Sequence, residues 1–257
     1  MPDNRRDLLE ARGLAKTFGG LRAVEDLSFA VRAGEILGLL GPNGSGKTTA
    51  FNLIAGTLAP DRGAVYFDGR DVTGFAPHRR AALGIARTFQ LVRALSGLAV
   101  LDNVLVARLY GHVRAGDMAG ARAEALECLE FVGLAAKADR PAGTLTLAER
   151  KTLEVARALA VSPRLLLLDE PAAGLNSTEV AALLVLLRRI RAGGITIVIV
   201  EHNVGAMRDL CDRAVVLNAG RTIAEGRPHE VLEHAGVVEV YLGAPDEAGA
   251  ARPEAEA

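Results

Sequence analysis

The sequence predicts an α/β fold: a parallel sheet flanked by helices, joined to an antiparallel β subdomain and carrying an inserted helical subdomain. Three patterns carry that expectation. Continuous apolar runs recur between helical stretches. Residues 8–32 and 64–68 alternate apolar and polar positions. Residues 92–145 are mostly helical in pattern, with no strong strand.

The apolar runs are Ile36–Leu40, Leu165–Leu168, Ile195–Val200 and Ala214–Leu217. A strand that is apolar at every position leaves no face for water, so these belong to a parallel sheet covered by helices on both sides. Between them the spacing predicts helices with clear boundaries. One begins near Gly46 and stops around Gly56; another runs from Leu147 to Val161 and stops at Ser162-Pro163. A third runs from Ser177 to about Arg191, with Asn176 as N-cap, Glu179 completing a capping box and Gly193-Gly194 as terminator. The alternating segments fit half-exposed antiparallel strands. The organisation expected is one unit over residues 1–243, with the helical subdomain at about 92–145. The Ala/Glu/Pro/Gly-rich residues 244–257 are expected to be a disordered tail.

Composition narrows the function. The chain has 257 residues and a formal net charge of −1, so it lacks the basic excess that nucleic-acid binding demands. Cys128 and Cys211 stand far apart, which is neither a disulfide framework nor a zinc pattern and suits a reducing compartment. The polar stretch Met1–Glu10 lacks the apolar core of a signal peptide, and no run approaches the roughly 18 apolar residues of a membrane span. Work at a membrane would need another chain to hold this one there.

Gly41, Pro42, Asn43, Gly44, Ser45, Gly46, Lys47 and Thr48 match G-x-x-x-x-G-K-[ST] in full, between a buried strand and a helix. A triphosphate carries dense negative charge and must be held away from water. Gly44 and Gly46 let the backbone turn its N–H groups inward as an anion nest, and the following helix adds its positive dipole end. Lys47 places a compact cation between the outer phosphates, the Thr48 hydroxyl is a candidate Mg²⁺ ligand, and Thr49 is a further phosphate contact. This makes a nucleoside triphosphate with Mg²⁺ the expected ligand and the core a P-loop NTPase.

Asp169 and Glu170 end the strand that begins at Leu165. In open α/β sheets ligands sit at the carboxyl ends of strands. Asp169 would hold the metal, directly or through water, and Glu170 would polarise the attacking water as general base.

With these residues in view, the chain resembles the ABC ATPase family over about residues 8–243. The resemblance implies that the nucleotide is ATP, and it implies roles for further positions. Phe18, in Lys-Thr-Phe-Gly-Gly, matches the aromatic that stacks on adenine. Gln90, in Ala-Arg-Thr-Phe-Gln, matches the glutamine that senses Mg²⁺ and links the nucleotide to the membrane partner. Ala173 to Asn176 matches the segment that crosses to the second cassette. His202, in Val-Glu-His-Asn, matches the histidine that contacts the γ-phosphate.

One motif departs from the family. The usual Leu-Ser-Gly-Gly-Gln is here Leu145, Thr146, Leu147, Ala148 and Glu149. In the family this segment grips ATP bound to the partner subunit. Thr146 keeps a hydroxyl, but Leu147 and Ala148 lose glycine's freedom and Glu149 brings a negative charge. Thr146 and Glu149 also form a capping box. The expectation is one degenerate site in a heterodimer.

Within the family, Phe18 to Ser28, Asp169 to Asn176 and Glu225 to Gly243 are similar to the branched-chain amino acid uptake branch. That implies an ATP hydrolase powering an importer, peripheral on the cytoplasmic face of the inner membrane. Its partners would be a second ABC ATPase subunit or a second copy, two transmembrane permeases and, indirectly, a periplasmic solute-binding protein. Relatives in the same branch carry urea or short amides. Readings of other classes are a soluble ABC ATPase acting on nucleic acid or ribosomes, and a module that holds ATP without turnover. The first usually carries coiled-coil, zinc or basic inserts, none of which the sequence shows. Glu170 and His202 weigh against the second.

Overall fold

The computed structural model describes residues 6–88, 95–112, 116–201 and 204–242. Two sheets organise them. The larger contains β3 (Ile36–Leu40), β6 (Ile85–Arg87), β7 (Leu165–Asp169), β8 (Thr196–Val200), β9 (Arg213–Asn218) and β10 (Arg221–Gly226), in the order β10-β9-β3-β8-β7-β6. Pairing is parallel from β9 through β6, and β10 closes the edge antiparallel to β9. Every residue of β3, β7 and β8 is buried, as expected for strands covered on both faces. The helices doing the covering are α1 (Lys47–Ala55) on one side and α5 (Leu147–Ala160), α6 (Ser177–Ala192) and α7 (Val204–Leu210) on the other, giving two apolar clusters.

The second sheet holds β1 (Asp7–Phe18), β2 (Leu21–Arg32), β4 (Arg62–Phe67) and β5 (Arg70–Asp71), in the order β2-β1-β4-β5, antiparallel throughout. Its burial alternates only in part, because register shifts interrupt the β1–β2 ladder. The inner faces share the core of α1, so this sheet and α1 pack as one body.

The short α2 (Pro77–Ala81) is anchored by Arg80, a side chain only 1% exposed. Its guanidinium donates to the carbonyls of Leu53 and Ile54 in the last turn of α1, and to those of Thr73 and Phe75. The last carbonyls of a helix lack the usual i+4 donor; here the Gly56 N–H also reaches the Leu53 carbonyl. Gly56 at the end of α1 has φ 77, and a Cβ there would lie 2.6 Å from Arg80 Nε.

Helices α3 (Val100–Leu109), α4 (Met118–Val132) and one face of α5 enclose a third apolar cluster, with Val104, Leu129 and Leu153 fully buried. Asp117 caps α4 through the Gly120 N–H, and Gly133 ends it at φ 83. The chain closes with α8 (Pro228–Leu232) and α9 (Ala235–Leu242), which return to the main sheet beside β9 and β10. No helix among the described residues is long and apolar enough to cross a membrane.

Candidate active site

Strands β3 and β7 flank β8 and run parallel to it, so the segments leaving their carboxyl ends emerge at the same end of the sheet, one strand apart. The segment leaving β3 is the glycine-rich loop. Gly41, Gly44 and Gly46 have φ of 142, 77 and 101, and Gly46 is the left-handed residue that opens α1. The chain also passes too close to its surroundings for a side chain. A Cβ on Gly46 would lie 2.3 Å from the Ala23 carbonyl, and one on Gly41 would lie 2.2 Å from that of Leu217. Glycine is therefore required here for both conformation and space.

Lys47 is 4% exposed and folds back over the loop, donating to the Gly41 and Pro42 carbonyls at 2.7 and 2.8 Å. Burial holds its ammonium below the ordinary lysine range, and the charge of Glu170 pulls it partly back. That interaction links Lys47 of the loop to Glu170 electrostatically. Thr48 and Asn43 are exposed, and Thr49 is half-buried. Ser45 Oγ is buried with no hydrogen-bond partner.

Asp169 is 3% exposed. Its Oδ2 pairs with Arg87 Nη2 at 2.9 Å, while its Oδ1 is buried without a partner. Burial pushes its pKa up, with the Arg87 hydrogen bond and charge pulling it down. A buried carboxylate oxygen with nothing to accept from is costly unless a ligand completes it. Arg87 also donates to Asn52 Oδ1 at 2.6 Å and stacks on Phe51, which ties the acid to α1.

Glu170 leaves β7 at φ 47, in the left-handed region that side chains with a Cβ rarely adopt. The strain is held by three bonds: Glu170 N–H to the Val200 carbonyl, and Lys151 Nζ and Ala173 N–H to the Glu170 carbonyl. Backbone strain of this kind clusters at functional sites. Lys151, on α5, is held below its ordinary pKa by burial, offset by Glu201, Glu154 and Glu170. Glu201 is buried and accepts from the Ala172 N–H.

The remaining expected residues lie outside this cluster or outside the described residues. Phe18, at the end of β1, is 44% exposed, with Lys16 Nζ 5.8 Å from its ring centre. Thr146 and Glu149 cap α5 reciprocally, and Glu149 also pairs with Lys137. The Lys137 hydrogen bond, then that of the Thr146 N–H, holds the Glu149 carboxyl below its usual range. Its charge is thus answered within its own chain. Leu147 is 40% exposed, and its Cδ2 would lie 3.0 Å from a Cβ on Gly174. Gln90 and His202 fall outside the described residues, as do residues 92–94 of the inserted segment and the tail at 244–257.

Sequence reasoning missed Arg87, Lys151 and Tyr241. Arg87 stands three residues before Gln90 in a segment read only for its glutamine. Lys151 had a weak signal as one of four lysines in the chain. Tyr241 had none.

The donors fit a nucleotide with a hard cation. The loop offers backbone N–H groups and a lysine for phosphate. Thr48 and Asp169 offer oxygen, the donor that Mg²⁺ takes. Among the described residues no group of three or more His, Cys, Asp or Glu could hold a metal alone, so a cation here would need phosphate oxygens as well.

Residues 24–173 match the model of the family described as "ABC transporter". The chain belongs to the ABC transporter family. It is an ATP-hydrolysing transporter subunit, and its fold is that of the cassettes to which it is similar. An ATP-binding cassette of an ABC transporter, solved in its ADP conformation, superposes with a TM-score of 0.84 at 32% identity, covering 93% of this chain and all (100%) of the other. A second family model, "Branched-chain amino acid ATP-binding cassette transporter", matches residues 221–247 of the cassette. The cassette is 36% identical over 252 residues to the high-affinity branched-chain amino acid transport ATP-binding protein BraF of Pseudomonas aeruginosa, covering 93% of this chain and 98% of the relative. It is also 39% identical to the lipopolysaccharide export system ATP-binding protein LptB of Acidithiobacillus ferridurans, covering 92% and 97%.

Proposed function

We propose that this cassette binds Mg·ATP between the Gly41–Thr48 loop and Asp169, and hydrolyses it with Glu170 as general base to power an importer of branched-chain amino acids. The observation that carries the chemistry is the unpartnered Asp169 Oδ1, buried at the same end of the parallel sheet as the lysine-bearing glycine loop. In this reading Lys47 exchanges its two loop carbonyls for the outer phosphates, and Thr48 and Asp169 hold the cation. The cation, when bound, neutralises charge that develops on the transferring phosphoryl group. The Glu170 carboxylate takes the proton of the attacking water, aimed by a backbone bend that Lys151 fastens. Phe18 supplies an exposed ring for adenine, and Gln90 and His202 complete the site from segments beyond the described residues.

The match of residues 221–247 to a branched-chain amino acid model supports the substrate, because that segment lies outside the general ABC transporter match. A related cassette is described in dimeric form, bound to ADP and Pi after hydrolysis, at 26% identity and a TM-score of 0.77. We infer the same two-cassette arrangement here, on the cytoplasmic face of the inner membrane, under two permeases served by a solute-binding protein. The second cassette is a similar ATPase. The Thr146–Glu149 helix would face its γ-phosphate without the usual glycines, so one of the two sites turns over poorly. Equal turnover at both half-sites of the reconstituted pair would contradict this asymmetry.

Two experiments test the function. Glu170→Gln should retain Mg·ATP binding while hydrolysis falls about 10²-fold or more; unchanged turnover would remove Glu170 from the base role. Deleting the gene should abolish uptake of labelled leucine and valine. Intact leucine uptake with lost urea or short-amide uptake would move the substrate to those solutes.

A further inference from the structure

Tyr241 lies on α9, 200 residues from the glycine-rich loop, yet its hydroxyl accepts the Gly41 N–H at 2.8 Å. Its ring packs on the apolar cluster that includes Leu40 and Val216, the residues just before Gly41 and Leu217. Gly41 is already confined on another side, where its Cα faces the Leu217 carbonyl too closely for any Cβ. The turn after β9 adds a further tie, since Gly220 N–H donates to the Ser45 carbonyl at 2.9 Å. The loop is therefore braced from behind by the C-terminal part of the chain.

Gly41 is held at both its polar groups: its N–H by Tyr241 and its carbonyl by Lys47. These two restraints differ in their fate when a phosphate arrives. Lys47 must leave the carbonyl to reach the phosphate, whereas the Tyr241 bond can persist. Once the lysine has moved, the tyrosine is the side chain that still fixes the start of the loop. Burial pushes the phenol's pKa up, with the Gly41 bond pulling it back, so the group remains a neutral phenol at physiological pH.

We propose that Tyr241 is a positioning residue for the nucleotide loop and that α9 and nucleotide binding are energetically coupled through the Tyr241–Gly41 hydrogen bond. This rests on the reading of Gly41–Thr48 as the phosphate site. Coupling between two sites is reciprocal. If a docked α9 favours nucleotide, then nucleotide must tighten α9.

The test uses the full chain, wild type and Tyr241→Phe, which removes one oxygen and keeps the ring. Calorimetric titration with Mg·ADP should show the dissociation constant raised about fivefold in the variant, the value of one net hydrogen bond. Hydrogen exchange of residues 235–242 should slow when Mg·ADP binds the wild type, and this nucleotide-dependent slowing should be lost in the variant. A tyrosine that served stability alone would lower the melting temperature and leave both readouts unchanged, which would overturn the proposal. If the wild type takes up no Mg·ADP, the phosphate-site reading fails and the coupling with it. If it binds and the variant matches it, only the role of Tyr241 falls.

Discussion

Arg87 and Asp169 form a buried ion pair at the strand ends, 2.9 Å apart, with side chains 13% and 2% exposed. The pair joins β6 to β7, and Arg87 continues to Asn52 on α1. Breaking a buried pair from one side leaves an uncompensated charge. Arg87→Ala should therefore cost about 3–5 kcal/mol of stability in urea unfolding of the nucleotide-free chain. Arg87→Lys should recover only part, because a point charge cannot reach Asp169 and Asn52 together as the planar fork does. A loss below ~1 kcal/mol in the alanine variant would mean that the pair is solvated in solution.

Nucleotide affinity should depend on pH through Lys47. In the free chain, burial holds this ammonium below its ordinary pKa. A bound triphosphate would raise it again. The bound state then holds more protons than the free state over the pH window between the two values. Binding takes up protons in that window, and affinity falls as pH rises through the free-state pKa of Lys47. Titrations in buffers of different ionisation enthalpy should show net proton uptake within that window. Proton release assignable to Lys47, by its loss in Lys47→Arg, would reverse the sign and contradict the account.

Arg80 should be a stability residue with no direct part in the chemistry. Its guanidinium serves four backbone carbonyls from a site 1% exposed, and burial lowers its pKa to about 10. Arg80→Ala removes the side-chain donor from those carbonyls, leaving Leu53 only the Gly56 N–H, and opens a cavity, for an expected loss of about 3 kcal/mol. Arg80→Lys should rescue little, since an ammonium lacks the fork that reaches α1 and the Thr73–Phe75 segment at once. A melting temperature equal to wild type in Arg80→Ala would refute this.

The parts of the site that were legible in the sequence are those whose chemistry needs neighbouring residues. The loop, Lys47 and Thr48 are contiguous, and Asp169 and Glu170 follow one another at the end of an apolar run, so composition and order alone place them. The strands β3, β7, β8 and β9 were legible because each is built on a continuous apolar run of four or five residues. What was not legible depends on distance. Arg87 meets Asp169 across 82 positions, Arg80 meets Leu53 across 27, and Tyr241 meets Gly41 across 200. Each joins elements that only the strand order brings together. Strand β6 is three residues long at the sheet edge and gives no periodic signal. The signature segment was half legible: its capping box was clear, but the Lys137 partner that neutralises Glu149 lies on a separate turn of the helical region.

The central claim is that the loop after β3, with Lys47, Thr48 and Asp169, holds a triphosphate and its cation. Calorimetric titration of purified chain with ATP tests it most directly, with and without Mg²⁺ and in the Lys47→Ala variant. The account predicts one Mg²⁺-dependent site per wild-type chain and its loss in the variant. Absence of binding to the wild type, or equal binding by Lys47→Ala, would contradict it.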